Sequence, residues 1–138
     1  MQHHNHRLPS QAHTLRHSKR RQVEDLLALA EYLPSTDRNL IQQVLGSDLP
    51  ISQIAKLYQR PARHLHRQSK SIIKRLSDKH FKFVAIQIKT LPPEVRTTAR
   101  HVILHGLSLR KAAEVSGKSL HHIRQDMNTV RAAARIFS

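Results

Sequence analysis

Between Gly106 and Gln125 the chain reads GLSLRKAAEVSGKSLHHIRQ, and the second half of that stretch gathers side chains that donate and accept hydrogen bonds: Ser119, His121, His122, Arg124, Gln125 and, a turn further on, Asn128. A guanidinium can present paired N–H groups to the edge of a guanine, and an amide can pair with adenine. Hydroxyls, imidazoles and nearby cations, here Arg110, Lys118 and Arg131, suit phosphate oxygens. Leu120 stands among them as an apolar contact for a base methyl. This is recognition chemistry, and bond-making chemistry has no counterpart to it. The nine acidic residues are scattered, without the spacing of an acid/base pair or a divalent-metal site. No glycine loop of the kind that cradles phosphate occurs, because all three glycines fall near expected helix ends. His121 and His122 do not chelate together, since neighbours on a helix diverge by about 100°. We therefore expect no enzyme, no metal and no cofactor.

Such side chains must be held on a rigid element, and the spacing of Ala113, Gly117 and Ile123 supplies one. A small residue lets two helices touch. Glycine takes the left-handed conformation that ends the first helix sharply, and an aliphatic residue pins the second to the core. Ser119 can cap that second helix by accepting a backbone N–H. This is the pattern of a helix-turn-helix whose second helix, Ser119 to Asn128, displays the outward residues. An ordinary helical hairpin shares the same spacing.

Shifted by 58 residues, the sequence lies on itself without a gap: Leu33-Pro34 meets Leu91-Pro92, Arg38 meets Arg96, Val44 meets Val102, Ala55 meets Ala113, and His64 meets His122. Helical apolar faces recur in the same order. Val23, Leu26, Leu27 and Ala30 lead, Leu40, Ile41, Val44 and Leu45 follow, and Ile51, Ile54, Ala55 and Tyr58 mark a third helix. Pro61 suits the first turn of a fourth. The predicted architecture is all-α, with a flexible basic arm over 1–19, a first helix-turn-helix unit over 20–77 and a second over 78–138. The copies differ. Gln59 stands where the second has Gly117, so that turn must be built differently or with strain. In exchange the fourth helix of the first unit carries Arg63, His64, His66, Arg67, Lys70 and Lys74 after Arg60, and no acid occurs between Asp48 and Asp78. The second unit is expected to read bases and the first to grip the backbone.

The 138 residues carry a formal charge of +15, which makes a polyanion the expected partner. Double-stranded DNA fits better than single strands, because the five aromatics are too few to stack bases and most fall where a helical core would want them. No apolar run is long enough to cross a membrane, no secretory leader follows the start, and cysteine is absent, which points to a cytoplasmic, nucleoid-associated location. Five of the 12 histidines lie in the arm, at His3, His4, His6, His13 and His17. Three roles stay open for it: a basic arm touching DNA, a solvated tail, or a metal-binding cluster.

Leu91 to Arg124, LPPEVRTTARHVILHGLSLRKAAEVSGKSLHHIR, resembles the fourth region of bacterial sigma factors, and Leu33 to Arg67 resembles it more weakly. The shared features are leucine-proline followed by an arginine, an aliphatic helix, Gly-Leu-Ser before the first helix of the motif, the Ala-Ala pair, Gly117, and Ser119 ahead of the reading helix. The resemblance implies that Leu120 to Asn128 would lie in a major groove with Arg124 and Gln125 at its bases, and that RNA polymerase or a partner regulator is a candidate contact. The chain departs from the family after Arg124. Asp126 interrupts the basic run, and there is no room for the aromatic-rich region that melts promoter DNA. The expectation is a stand-alone, sequence-specific transcriptional regulator, active as a monomer or as a homodimer. The alternatives are a module that docks on RNA polymerase or a regulator, and a protein that coats DNA without sequence choice. With so many histidines, DNA affinity should rise as pH falls from about 7.5 to 6.

Overall fold

The computed structural model describes the backbone of residues 9–137 and the side chains of residues 19–137. Among the described residues the protein is entirely helical: α1 (Pro9–Ala30), α2 (Ser35–Gly46), α3 (Ile51–Tyr58), α4 (Ala62–Leu76), α5 (Lys79–Gln87), α6 (Pro93–Ala99), α7 (Leu109–Ser116) and α8 (Leu120–Phe137). A 3-10 turn, Ile88–Thr90, follows α5, and a π-helical turn, Arg100–Leu104, continues α6. None of the described helices is long and apolar enough to cross a membrane. Helix α1 begins at Pro9, eleven residues before the expected start of helical pattern at Arg20 and inside the stretch expected to be flexible. The arm residues 1–8, with His3, His4 and His6, lie outside the described residues, as do the side chains of His13 and His17.

Proline and short polar residues set the breaks between helices. Pro34, Pro50, Pro61 and Pro92 occupy the positions immediately before α2, α3, α4 and α6, where a missing N–H leaves no bond unmade. Asp78, Ser108 and Ser119 begin the remaining breaks by accepting backbone N–H groups from His80 (2.7 Å), Lys111 (3.1 Å) and His122 (3.1 Å). Asp37 and Glu94 lie in the first turns of α2 and α6, where the helix dipole favours an acid.

Helices α2, α3 and α4 start at 35, 51 and 62, and α6, α7 and α8 start at 93, 109 and 120, an offset of 58 in each case. Burial follows the same interval. Leu33 and Leu91, Leu40 and Thr98, Ile41 and Ala99, Ile54 and Ala112, Leu65 and Ile123, Ser69 and Met127, Ile72 and Val130, and Leu76 and Ala134 are all buried. Each large aliphatic member of these pairs contributes about 1.5–3 kcal/mol by leaving water. Among α1 to α4, α1 packs on α2 and α4, and α3 packs on α2 and α4; in the second set α5 packs on the π turn and α8, while α6 and α7 pack on α8 and on each other. The expectation of small-residue contact moves by one position. Ala112 is fully buried, whereas Ala113 is half-buried and receives the turn amides of Gly117 and Lys118 on its carbonyl. Of the aromatics, Phe81 and Phe83 are core residues, and Tyr32 and Phe137 are exposed.

The two sets of helices join through α4 and α5 and through one arginine. Arg75 on α4 donates to the Leu104 carbonyl at the end of the π turn (2.6 Å) and pairs with Asp37 of α2 (3.3 Å). That carbonyl stands at a helix end, and the amides that follow the π turn bond further back, His105 to Arg100 and Leu107 to His101. Gly106 follows with φ 71°, and a Cβ there would stand 2.6 Å from the guanidinium carbon of Arg75. The positive φ favours glycine there, and a larger residue would have to move the Arg75 guanidinium aside.

Candidate nucleic-acid interface

Helices α4 and α8 each turn one face inward and one outward. On α8, Ile123, Met127, Val130 and Ala134 are buried, and His121, His122, Arg124, Gln125, Asn128 and Arg131 are exposed, with Leu120 half-buried at the start. On α4, Leu65, Ser69, Ile72 and Leu76 are buried, and Arg63, His64, His66, Arg67, Lys70 and Lys74 are exposed. Because the offset of 58 holds, the outward faces coincide residue by residue: Arg63 with His121, His64 with His122, His66 with Arg124, Arg67 with Gln125, and Lys70 with Asn128. Ahead of these helices Arg60, Arg110 and Ser119 are exposed too.

The turns before the two helices are built alike. Gly117 has φ 71° and ψ 16°, and Gln59 has φ 54° and ψ 44°, so both chains reverse through the left-handed region. Of the two outcomes expected for Gln59, the structure takes the strained one. An L-residue in that region costs about 1–2 kcal/mol. The following residue matches as well: Arg60 donates to Gln68 eight residues on (2.9 Å), as Lys118 reaches Asp126 eight residues on (2.8 Å).

Lys118 thereby leaves the outward set to which the sequence assigned it. Its ammonium donates to the Glu94 carbonyl (2.7 Å), to Thr98 Oγ1 (3.2 Å) and to Asp126 Oδ2 (2.8 Å), and its side chain is 19% exposed. Thr98 Oγ1 donates to the same carboxylate at 2.7 Å, and His122 Nε2 lies 3.6 Å from its other oxygen. Asp126, 7% exposed, is turned inward, so its charge is matched within the protein and is absent from the outer face of α8. This network ties the start and middle of α8 to α6. Sequence reasoning missed it, although a signal existed: at the 58-residue offset Thr98 stands opposite Leu40 and Asp126 opposite Gln68. A hydroxyl and an acid entered the second copy where the first has apolar and neutral groups.

Shallow hollows flank the two helices at matching places. One, lined by Arg60, His64, Arg67, Gln68 and Asp37, lies beside α4; the other, lined by Glu94, Val95, His122, Gln125, Asp126 and Asn128, lies beside α8. The first is rich in cations and suits an anionic oxygen; the second mixes amide and imidazole with the carboxylates of Glu94 and Asp126. Near the joint, partial burial, the neighbouring His101 and the guanidiniums of Arg75 and Arg100 hold His105 below the ordinary histidine range. Among the described residues no group of three His, Cys, Asp or Glu could hold a metal ion. Comparison with models of known protein families, with curated proteins and with solved structures found no match for the chain.

Proposed function

We propose that the protein is a sequence-specific double-stranded DNA-binding regulator of transcription, made of two tandem four-helix units over 20–77 and 78–138, each ending in a helix-turn-helix. The observation that carries this reading is the outward face of α4 and α8, where the exposed side chains named above are basic, imidazole, amide or hydroxyl, while the one acid on either helix is paired inside the fold. A charge of +15 supplies the long-range attraction to phosphate. The resemblance of Leu91–Arg124 to the fourth region of sigma factors supports the same assignment of α8 to the major groove.

The two helices divide the work in this reading. Arg124, Gln125 and Asn128 meet base edges, and Arg63, Arg67 and Lys70 hold the backbone, since long cations without an amide partner suit phosphate better than a base pattern. The test is selection of bound duplexes from a random pool at about 150 mM salt, with the wild type beside Arg124→Ala/Gln125→Ala. An enriched motif that the double substitution abolishes supports the reading. Binding without enrichment reduces it to a coating protein.

A second reading has its own observation. Leu57 on α3 and Val115 on α7 stand at equivalent positions of the two copies and are 66% and 51% exposed. An aliphatic residue held outward twice suits contact with another protein, such as RNA polymerase or a partner regulator. Failure to bind any duplex, together with capture of polymerase that Leu57→Ser/Val115→Ser abolishes, would favour it.

A further inference from the structure

Where the two sets of helices meet, α4, α5, the π turn and α8 enclose a cleft of about 440 Å³. Its floor is apolar, with Phe81 and Met127 buried and Ile103 half-buried. Its rim is cationic: Lys74 and Arg131 are exposed at the edge, with Arg75 beside them. Among the described residues neither Lys74 nor Arg131 pairs with a carboxylate. The one acid at the cleft, Asp78, is engaged as the cap of α5, accepting from His80 N (2.7 Å) and lying 3.2 Å from His80 Nδ1. The charge left over at the rim is therefore positive.

We infer that this cleft is a binding site for a small organic anion with an apolar body, such as an aromatic carboxylate. The volume falls in the range of small-molecule sites, roughly 300–1,000 Å³, and such sites favour the junction between packed units, with apolar walls and few polar groups that fix orientation. An apolar body would cover Phe81, Ile103 and Met127. Its carboxylate would lie between Lys74 on α4 and Arg131 on α8, so the occupant would bridge the two helices. A bare phosphate fits less well, because it would leave the apolar floor wet. A consequence for duplex affinity rests on the DNA-binding reading; occupancy of the cleft does not.

The experiment uses the full chain, isotopically labelled, and no DNA. Amide shifts are followed while 1-naphthoate is added, and in parallel 1-naphthylmethylammonium, which has a similar body and the opposite charge. The expected result is a saturable shift confined to 71–81, 102–106 and 127–131, with the carboxylate bound about tenfold or more tightly than the cation. Lys74→Glu/Arg131→Glu should weaken naphthoate by about tenfold or more, whereas Lys56→Glu/Arg135→Glu, an equal charge change on exposed residues outside the cleft, should alter it by less than about threefold. Ile103→Glu, which places a carboxylate on the floor, is a second route to the same loss. No saturation below about 5 mM, equal binding of both probes, or equal loss in both charge-reversed variants would overturn the inference.

Discussion

Removing the Asp126 carboxylate tests whether the buried network behind α8 holds the helix in place. In Asp126→Ala the ammonium of Lys118 keeps the Glu94 carbonyl and Thr98 Oγ1 but loses its counter-charge, and Thr98 loses its acceptor. Breaking a buried pair from one side costs about 3–5 kcal/mol. Lys118 retains 19% exposure and can turn partly to water, which places the expected loss near the lower end, about 3 kcal/mol. Lys118→Met strands a carboxylate that is only 7% exposed and still has Thr98 and His122, and should cost about as much. Replacing both charges, in Lys118→Met/Asp126→Leu, removes the unpaired ion; the buried Thr98 hydroxyl is left wanting, at about 1–3 kcal/mol, while Glu94 and His122, both exposed, exchange their lost partners for water. The double variant should thus be more stable than either single one, with a coupling energy of about 2 kcal/mol or more. Urea unfolding followed by circular dichroism gives these differences from the midpoints at constant slope. Because the pair is mostly buried, the coupling should survive at about 1 M salt. Single variants within about 0.5 kcal/mol of wild type, or additivity within that margin, would refute the reasoning.

The two left-handed turns should respond in opposite senses. Gln59→Gly relieves a strained φ and should stabilise by about 0.5–1 kcal/mol, while Gly117→Ala, whose Cβ would meet nothing within 4 Å, should cost about 1–2 kcal/mol through backbone strain alone; thermal unfolding measures both. Gly106→Ala should cost clearly more than Gly117→Ala, because the added methyl displaces Arg75 from Leu104 and Asp37. A folded-state value held down at His105 means that the unfolded chain takes up a proton the folded chain resists. Stability from this residue is present above the ordinary histidine range and falls as pH drops through it, so His105→Gln should flatten the decline in Tm between about pH 7.5 and 5.5. If α4 grips phosphates, Arg63→Ala/Arg67→Ala/Lys70→Ala should lower the salt slope of duplex binding by about 2–3, at roughly 0.9 per contact, whereas Gln125→Ala should leave the slope unchanged and weaken sequence preference.

The elements and their outward faces were legible in the sequence because they depend on local spacing. Prolines before helices, the left-handed Gly117, the cap at Ser119 and the apolar stripe through Leu65, Ile72 and Leu76 each act within a few residues. The helical turns before Arg20 were not legible for the same reason: residues 9–19 lack an apolar stripe, and pattern alone gives no grounds for a helix there. What stayed hidden joins distant positions. Lys118 reads as a surface cation until Thr98 and Asp126 are brought beside it from 20 residues before and eight residues after. Arg75 reads as one more charge on a basic helix until a π turn, which no spacing rule anticipates, offers it the Leu104 carbonyl.

The two copies differ behind the outward face as well as on it. Leu40 stands for Thr98, Gln68 for Asp126, and Arg60 for Lys118, yet in both copies the residue after the left-handed turn reaches the same position eight residues later. Two chemically distinct contacts hold two helices in one pose. The joint is different in kind, since Arg75 has Ala133 as its counterpart and so ties the sets together from one side only. Matching exposure follows from the shared packing alone, but the core does not require that these positions carry hydrogen-bonding groups in both copies, as Arg63 with His121, His64 with His122, and Lys70 with Asn128 do. In the proposed function that agreement has a cause: both helices must present hydrogen-bonding groups to one long ligand, and a duplex offers successive grooves to a protein that carries two such helices on a single chain.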